Sequence, residues 1–217
     1  MASFEVVYED NHLLVIVKPS NMPSQEDDSK DLDVLTAAKN YIKEKYDKPG
    51  NVYLGLVHRL DRPVSGLMVF AKTSKAAARL SQQIQNHTMI KEYQCVVEGN
   101  PKTGEYVDYL LKDRKTNTTI VHPKGKKATL NVLHTKHHNG LSLCHLQLQS
   151  GRSHQIRVQM AHRNTPIVND HRYNPNAKIN HDIALFASKL SFVHPTTKET
   201  LTFTLELPMS YPWNQFH

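Results

Sequence analysis

A single carboxylate stands between two arginines in the segment 58–66, HRLDRPVSG. The charges of Arg59 and Arg62 favour the ionised form of Asp61. An ionised carboxylate can act as a nucleophile, as a base or as an electrostatic stabiliser. A plainer interpretation also fits, because an aspartate between arginines at the start of a strand is often a turn residue in an ion pair. The local sequence alone does not distinguish these two interpretations.

A second group of charged side chains occupies the segment 150–161, SGRSHQIRVQMA. Ser150 or Ser153 can cap a helix at this point. Ile156 and Met160 then lie one turn apart on the apolar face of that helix. Its start gathers three cationic side chains, Arg152, His154 and Arg157. Because a helix N-terminus already favours anions through its free N–H groups, we expect this segment to attract negative charge.

Apolar runs before and after the Asp61 segment predict the strands that position it. Residues 13–17 and 67–71 carry no polar side chains and predict two buried strands. Asp61 should therefore lie in a loop that leads into a core strand, which is a common place for a functional residue. A further strand is predicted at 4–8, and the two prolines within 18–24 predict an irregular loop.

Two amphipathic helices are predicted around the same segment. The first covers residues 31–46, with Asp31 or Asp33 at its start and Pro49-Gly50 after its end. The side chains expected to face inward on it are Leu32, Leu35, Ala38, Ile42 and Tyr46. Thr73 is an N-cap signal for the second helix. Its inward side chains are expected to be Ala77, Leu80 and Ile84.

Tyr93 lies in an alternating segment, 91–99, that predicts a strand ending at a glycine. The plain interpretation makes Tyr93 a core aromatic, whereas Lys91 beside it indicates a face open to an anion. Four more strands are predicted, at 128–135, 141–149, 183–187 and 200–207. The first two of these are joined by His137-His138-Asn139-Gly140, a hairpin-turn signal.

The segment from Pro101 to about Lys127 is polar and rich in cationic side chains. These side chains are Lys112, Arg114, Lys115, Lys124, Lys126 and Lys127. A basic, irregular excursion of this kind suits contacts with phosphate groups. A solvated hairpin explains the same composition equally well.

The composition is that of a globular protein with excess positive charge. Hydrophobic residues make up 39% and charged residues 22% of the 217, which is typical of folded rather than disordered chains. A net charge of +7 favours a polyanionic partner, with nucleic acid first and an anionic membrane surface second. Since no apolar run is long enough to span a membrane and no signal-peptide pattern occurs, we expect a cytoplasmic protein. Cys95 and Cys144 are expected to be buried, reduced thiols.

The sequence disfavours metal and cofactor chemistry. Fourteen histidines occur, but there is no His-Glu-x-x-His motif and the two cysteines lack zinc spacing. His134, His137 and His138 cluster at the predicted hairpin, where solvent exposure is the simpler explanation. Ser65 lacks the Gly-x-Ser-x-Gly elbow of a serine hydrolase. No Walker or dinucleotide glycine pattern is present, so we expect neither a metal nor a cofactor.

Three stretches together resemble one family, the RluA-type RNA pseudouridine synthases. They are 10–19 (DNHLLVIVKP), the Asp61 segment, and 151–158 (GRSHQIRV) followed by Thr165-Pro166-Ile167 and Asn169-Asp170. Their order and spacing agree with the family from about Val6 to Leu207. The chain departs from the family pattern at Val64, where threonine is common, and at Asn164 and Asn169, where glycine is common.

The resemblance implies an α+β pseudouridine synthase fold, with a long mixed, mostly antiparallel sheet, flanking helices and a central RNA-binding cleft. It implies one catalytic domain over residues 1–217, without the S4-like domain of many relatives, so that RNA recognition comes from the catalytic domain itself. The implied reaction isomerises selected uridines of ribosomal or transfer RNA to pseudouridine, breaking N1–C1′ and forming C5–C1′. It needs no metal or cofactor, and we expect a monomer.

The resemblance also assigns roles to individual residues. Asp61 would be the nucleophile or an equivalent essential carboxylate, and Arg157 would pair with it and hold it ionised. Tyr93 would stack on the flipped uracil and could take part in proton transfer. Ile156 would pack against the base, and Arg59 would fill the gap left by the flipped nucleotide. The remaining substrate contacts are expected from His58, Arg62, Arg152, Lys124, Lys126 and Lys127.

Two other hypotheses are kept beside this one. If the chain were a non-catalytic RNA-binding protein with the same fold, some catalytic residues should be missing. Asp61, Tyr93 and Arg157 are all present. If the chain were a hydrolase or a glycosidase that uses Asp61, a second acidic residue should occur in a comparable motif. Asp170 is the only candidate, and a loop ion pair explains it better. Within the synthase hypothesis, the sequence leaves open whether Asp61 attacks C1′, attacks C6 of the base or assists formation of a glycal.

Overall fold

The computed structural model describes residues 4–113, 115–178 and 180–217, and the chain divides into two compact units. The first unit comprises the described residues up to Ile90 together with Lys189–Leu205. The second comprises the described residues of Lys91–Ser188 together with Glu206–His217. That both units make up a single catalytic domain stays a prediction.

The chain combines strands and helices in an α+β fold, as predicted. The strands are β1 (Glu5–Glu9), β2 (Leu13–Lys18), β3 (Gly55–Leu56), β4 (Ser65–Ala71), β5 (Ile90–Glu98), β6 (Gly104–Asp113), β7 (Thr118–Val121), β8 (Lys126–His138), β9 (Leu141–Leu148), β10 (Leu185–Val193) and β11 (Thr200–Thr204). The helices are α1 (Val34–Lys45), α2 (Ser74–Gln85) and α3 (Gln155–His162), with a short 3-10 helix at Trp213–Gln215. Within each unit the described strand pairs are antiparallel. Among the described residues, no helix has both the length and the apolar character needed to cross a membrane.

The core of the first unit forms on the two apolar runs that flank the Asp61 segment. β2 pairs with β1 and with β4, and both β2 and β4 are almost wholly buried. Their side chains pack with those of α2 and of the last part of β10, as Val69, Leu80 and Phe192 show. Burying one such side chain contributes roughly 1.5–3 kcal/mol, so these strands provide a rigid base for the loop between β3 and β4.

Both helices of the first unit begin at capping residues that the sequence indicated. The carboxylate of Asp33 accepts the N–H of Thr36 at 3.0 Å and caps α1. The hydroxyl of Thr73 accepts the N–H of Ala76 at 3.1 Å and caps α2. Each bond satisfies a backbone donor that has no partner inside the helix, which is why these residue types predict a helix start.

The inward face predicted for α1 is wrong at both ends. The helix starts only at Val34, so Leu32 precedes it and is 53% exposed. Tyr46 follows the last helical residue and is 46% exposed. Its hydroxyl donates to Glu9 of β1 at 2.8 Å instead of packing in the core. The buried face of α1 consists of Val34, Ala37, Ala38 and Ile42.

The second unit contains an antiparallel sheet in the order β5-β9-β8-β6-β7. Asn139-Gly140 joins β8 to β9 with φ angles of 47° and 77°, the left-handed values of a type I′ turn that the hairpin signal predicts. The segment 101–127 is not an irregular excursion, because β6 and β7 occupy most of it. In β6, Tyr106 and Leu110 are buried, but the exposed positions next to them carry Val107, Tyr109 and Leu111, so the apolar–polar alternation of a half-buried strand is missing. Arg114, one of the predicted basic residues, lies outside the described residues.

Helix α3 covers one face of this sheet, which we call the α3 face. Val158 of α3 packs in a cluster with Ala128 of β8. Directly opposed residues of an antiparallel pair share a face, and so do alternate residues along one strand. Val132 of β8 lies opposite Leu146, which in turn lies opposite Tyr93 of β5. Since positions 128 and 132 share a face, Tyr93 also lies on the α3 face.

The cysteines and the hairpin histidines lie where the sequence predicted. Cys95 and Cys144 are opposed on β5 and β9, and both are buried with free thiols. Burial raises the pKa of the Cys95 thiol. The three histidines at the β8–β9 hairpin, His134, His137 and His138, are exposed. Within the described part of the chain, no group of three or more His, Cys, Asp or Glu side chains is placed to hold a metal ion.

Candidate active site

The carboxylate expected to be essential lies in the loop 57–64, which joins β3 to β4. Asp61 is partly exposed there. Its carbonyl oxygen accepts the backbone N–H of Val64 at 3.0 Å, which closes a turn. β4 follows at Ser65 and is buried along nearly all of its length. The predicted location of Asp61, in a loop that leads into a core strand, is therefore confirmed.

Side chains from the loop after β2 hold the main chain of the Asp61 loop. Ser24 is buried, donates its hydroxyl to the Leu60 carbonyl at 2.7 Å and accepts the Leu60 N–H at 3.1 Å. Ser20 donates to the Pro63 carbonyl at 2.8 Å. These hydrogen bonds fix the main chain on both sides of Asp61. We call these two serines, together with Lys18, the loop clamp.

Lys18 is the third member of the loop clamp and has no exposed surface. Its Nζ donates to three carbonyl oxygens, those of Met22 at 2.7 Å, Pro19 at 2.8 Å and Arg62 at 3.1 Å. Burial lowers the pKa of Lys18 to about 7, although the negative charge of Asp61 opposes this shift. Lys18 therefore anchors the main chain next to Asp61 and interacts electrostatically with its carboxylate.

The loop clamp was not predicted from the sequence, although the sequence contains one signal for it. A lysine directly after the apolar run 13–17 is a cation at the end of a buried strand, and such a cation needs partners. Those partners are not deducible from local sequence, because Arg62 lies 44 positions further along the chain. The prolines in this loop predicted its irregular backbone but not which residues it would contact.

The buried amine of Lys18 is expected to make stability depend on pH. The unfolded chain keeps this lysine protonated up to about pH 10.5, whereas the folded chain releases the proton near pH 7. Between these values the folded state binds fewer protons than the unfolded state. The free energy of unfolding should therefore rise with pH, by up to about 1.4 kcal/mol per pH unit. Urea denaturation of wild type and Lys18→Met between about pH 6 and pH 9 measures this slope; equal slopes in both proteins would contradict the expectation.

The three basic residues around Asp61 have different surroundings. His58 Nε2 accepts the backbone N–H of Val69 at 3.1 Å, so this ring ties the loop to β4. The guanidinium of Arg62 is engaged by an acidic segment, through Asp27, Ser29 and Asp31. Arg59 is exposed, and no residue that the structure describes forms a hydrogen bond or an ion pair with its guanidinium. Of the three, Arg59 is the best placed to bind a solvent-borne partner.

Two side chains expected to contact the base belong to the packed part of the second unit. Tyr93 of β5 is 6% exposed and lies opposite Leu146 of β9. Ile156, in the first turn of α3, is also buried. The burial of Tyr93 agrees with its interpretation as a core aromatic, and its position on the α3 face places it on the same side of the sheet as α3.

Arg157 forms a buried, bidentate ion pair with Asp170. Its Nε donates to Oδ2 at 2.8 Å and its Nη2 donates to Oδ1 at 2.7 Å. Oδ1 also accepts the backbone N–H of Arg172 at 3.1 Å. The guanidinium carbon lies 5.2 Å from the ring centre of Tyr173. The loop ion pair predicted for Asp170 is confirmed, and the pairing of Arg157 with Asp61 stays a prediction.

The start of α3 differs from the prediction that Ser150 or Ser153 caps it. The N-cap residue is His154, in the left-handed conformation with φ of 52°, and no side chain that the structure describes forms a capping hydrogen bond. Ser150 is engaged elsewhere, because its hydroxyl accepts the N–H of Thr129 at 2.8 Å and donates to Gln155 Oε1 at 2.9 Å. The serine thus anchors the helix to β8 instead of satisfying a free N–H of its first turn.

The lysines expected to contact RNA do not share one face. Lys124 lies in the turn before β8, and Lys126 and Lys127 are its first two residues; all three are exposed. Successive strand residues point to opposite faces. Lys126 lies opposite Leu110, which packs beneath α3, so Lys126 is on the α3 face and Lys127 is not. Arg152 is exposed and its Nε donates to the Lys127 carbonyl at 3.0 Å.

The chain is similar to proteins that are described as RNA pseudouridine synthases. A family model described as RNA pseudouridylate synthase matches residues 12–162. The chain is 40% identical over 172 residues to the ribosomal large subunit pseudouridine synthase D of Yersinia pestis, covering 78% of this chain and 52% of that protein. It is 31% identical to the protein of the same name from Zymomonas mobilis, covering 94% of this chain and 69% of that protein. The chain thus spans about half the length of the first relative.

A solved structure shows the same fold. The structure described as human RNA pseudouridylate synthase domain containing 4 matches with a TM-score of 0.78, covering 94% of this chain and 88% of that chain. The sequence identity is 19%, so this likeness concerns the fold alone.

Proposed function

Because the chain belongs to the RluA-type family of RNA pseudouridine synthases, we propose that it isomerises selected uridines in RNA to pseudouridine. The observation that supports this most strongly is the extent of the family match, residues 12–162, which contains Asp61, Tyr93 and Arg157. Both relatives described above are named for the large ribosomal subunit. Large-subunit ribosomal RNA is therefore the proposed substrate, and transfer RNA is the second substrate to test. A cytoplasmic location and action as a monomer stay predictions.

The proposed reaction moves one bond within a single nucleotide. N1–C1′ breaks, the detached uracil rotates, and C5–C1′ forms. The hydrogen on C5 leaves as a proton and N1 takes one up, so the product is an isomer of the substrate. The protein has to supply a group that attacks a carbon or stabilises developing positive charge, as carboxylates do in glycosidases. In our proposal Asp61 supplies it, and the loop clamp supports this role by fixing the main chain around it.

The target base has to leave its stack before a protein group can reach C1′. In our proposal Tyr93 stacks on the extruded uracil and Ile156 packs against it. Arg157 pairs with Asp61 and favours its ionised form. The bidentate bond to Asp170 supports this role, because it fixes the orientation of the guanidinium. Arg59 fills the space left in the RNA, for which its exposed guanidinium is suited.

The test is tritium release from RNA that carries 5-³H-uridine. Formation of C5–C1′ displaces the C5 hydrogen, so tritium in water reports the reaction directly. Ribosomal and transfer RNA are supplied in separate reactions. Release from ribosomal RNA supports the proposal as stated, and release from transfer RNA alone would change the substrate. Binding of RNA without release from either would favour the non-catalytic RNA-binding protein.

Lys126→Met is expected to weaken RNA binding more than Lys127→Met. Lys126 points to the α3 face, where Tyr93 also lies, whereas Lys127 points away from it. Each lost phosphate contact should lower the slope of log affinity against log salt concentration by about 0.7–0.9. Filter binding across a salt series measures this slope for both variants. Lys127→Met is the matched control, since it removes the same charge one residue away. Equal effects in the two variants would count against RNA binding on the α3 face.

A further inference from the structure

Lys18 is fully buried and Lys91 is partly buried, and of the two only Lys18 has hydrogen-bond partners among the described residues. Three carbonyl oxygens accept hydrogen bonds from Lys18. Lys91 is partly buried, and among the described residues none forms a hydrogen bond or an ion pair with it. It lies on β5 two positions before Tyr93. Because alternate residues of a strand share a face, the Lys91 side chain lies on the α3 face.

The ammonium group of Lys91 is available to a ligand that comes from outside the chain. Burial lowers the pKa of Lys91, and no neighbouring carboxylate opposes the shift. A charge that loses part of its hydration without gaining a partner carries a desolvation cost, which a ligand of opposite charge offsets. A lysine at such a position suits a role in which the missing partner is supplied by a ligand.

There is open space beside Gly151, in the segment that precedes α3. A Cβ built on Gly151 would lie 4.0 Å from Lys91 Nζ, and no other side chain or distant backbone atom comes within that distance. Arg152, the next residue, is exposed. Beside Gly151, 4.0 Å from Lys91 Nζ, there is therefore room for a small anionic group.

We propose that Lys91 binds a phosphate group of the RNA backbone beside the uridine that Tyr93 contacts, an inference that rests on the proposed function. Lysine binds phosphate as a compact point charge with three donors. A phosphate supplies the full negative charge that the site lacks, whereas a uracil carbonyl supplies only a dipole. The bond is charge-assisted and forms where water is partly excluded, which strengthens it.

The test compares Lys91→Met with Lys43→Met in the binding of total ribosomal RNA by the whole chain. Lys43 is exposed on α1 and its side chain has no partner among the described residues, so its replacement removes the same charge from the other unit. Lys91→Met should raise Kd about tenfold and lower the salt slope by about 0.7–0.9, and Lys43→Met should do neither. Lys91→Arg should restore the salt slope.

Three results would overturn the proposal. A higher Kd with an unchanged salt slope would mean that Lys91 contacts an uncharged acceptor such as the uracil. A lower kcat with unchanged Kd would place Lys91 in the chemical step. A less stable Lys91→Met would make the lysine a structural element of β5. Failure of the proposed function would be recognised separately, as absence of tritium release by wild type while the salt slope still depends on Lys91.

Discussion

Asp61→Asn is expected to lower kcat by about 10⁴-fold and to leave the Kd for RNA unchanged. The amide keeps the shape of the carboxylate but loses its charge and most of its nucleophilicity. The variant should fold, because the side chains of the loop clamp form hydrogen bonds with the main-chain carbonyl groups of Leu60, Arg62 and Pro63. These bonds do not involve the side chain of Asp61. Single-turnover release of tritium measures the chemical step, and filter binding measures the affinity.

Asp28→Asn is the matched control for this experiment. Asp28 is an exposed aspartate of the first unit, and its replacement by asparagine is the same chemical change. We expect release at the wild-type rate from this variant. Release at that rate from Asp61→Asn would mean that another group does the chemistry. Simultaneous loss of RNA binding would instead assign Asp61 a role in shaping the loop.

Asp170→Asn is expected to lower the free energy of unfolding by roughly 3 kcal/mol. The substitution leaves the guanidinium of Arg157 buried without the carboxylate that offsets its desolvation. It also weakens the acceptor that organises the loop through the N–H groups of Arg172 and Tyr173. Tritium release should fall as well, because Arg157 loses the partner that fixes its orientation. Urea denaturation followed by circular dichroism measures the stability change.

Asp113→Asn provides the control for that measurement. Asp113 is exposed and its carboxylate accepts the N–H of Lys115 at 2.8 Å, a bond that an amide oxygen can replace. Its free energy of unfolding should stay within about 0.5 kcal/mol of wild type. If Asp170→Asn also lost less than about 1 kcal/mol, the buried ion pair would not be the stabilising contact that its geometry indicates.

The features that were predicted correctly from the sequence depend on residues that are close together along the chain. The apolar runs at 13–17 and 67–71 predicted β2 and β4, because a strand buried on both faces has no polar alternation. Asp33 and Thr73 identified two helix starts, since each side chain bonds a backbone N–H three positions away. Asn139-Gly140 identified a hairpin, because both residues tolerate positive φ.

The features that the sequence did not predict depend on contacts between distant segments. Ser150 has the right residue type for a cap, but Thr129 and Gln155 engage its hydroxyl, so α3 begins without one. β6 was hidden because Val107, Tyr109 and Leu111 occupy exposed positions, so its sequence lacks the apolar–polar alternation of a half-buried strand. The role of Lys18 requires knowing that the main chain at Arg62 lies beside it. Residue types therefore identified the candidate site. The contacts that hold the Asp61 loop in place were found only in the three-dimensional structure.

The loop clamp has a consequence for how this protein can vary. Its three side chains bind main-chain oxygens, and every amino acid carries the same carbonyl group. The residues at positions 62 and 63 can therefore be exchanged without loss of the anchorage, provided that the backbone path is kept. Lys18, Ser20 and Ser24 have no such freedom, because their side chains form the bonds. The sequence of the loop that carries Asp61 can thus vary, provided that the residues that hold this loop are kept in another segment of the chain.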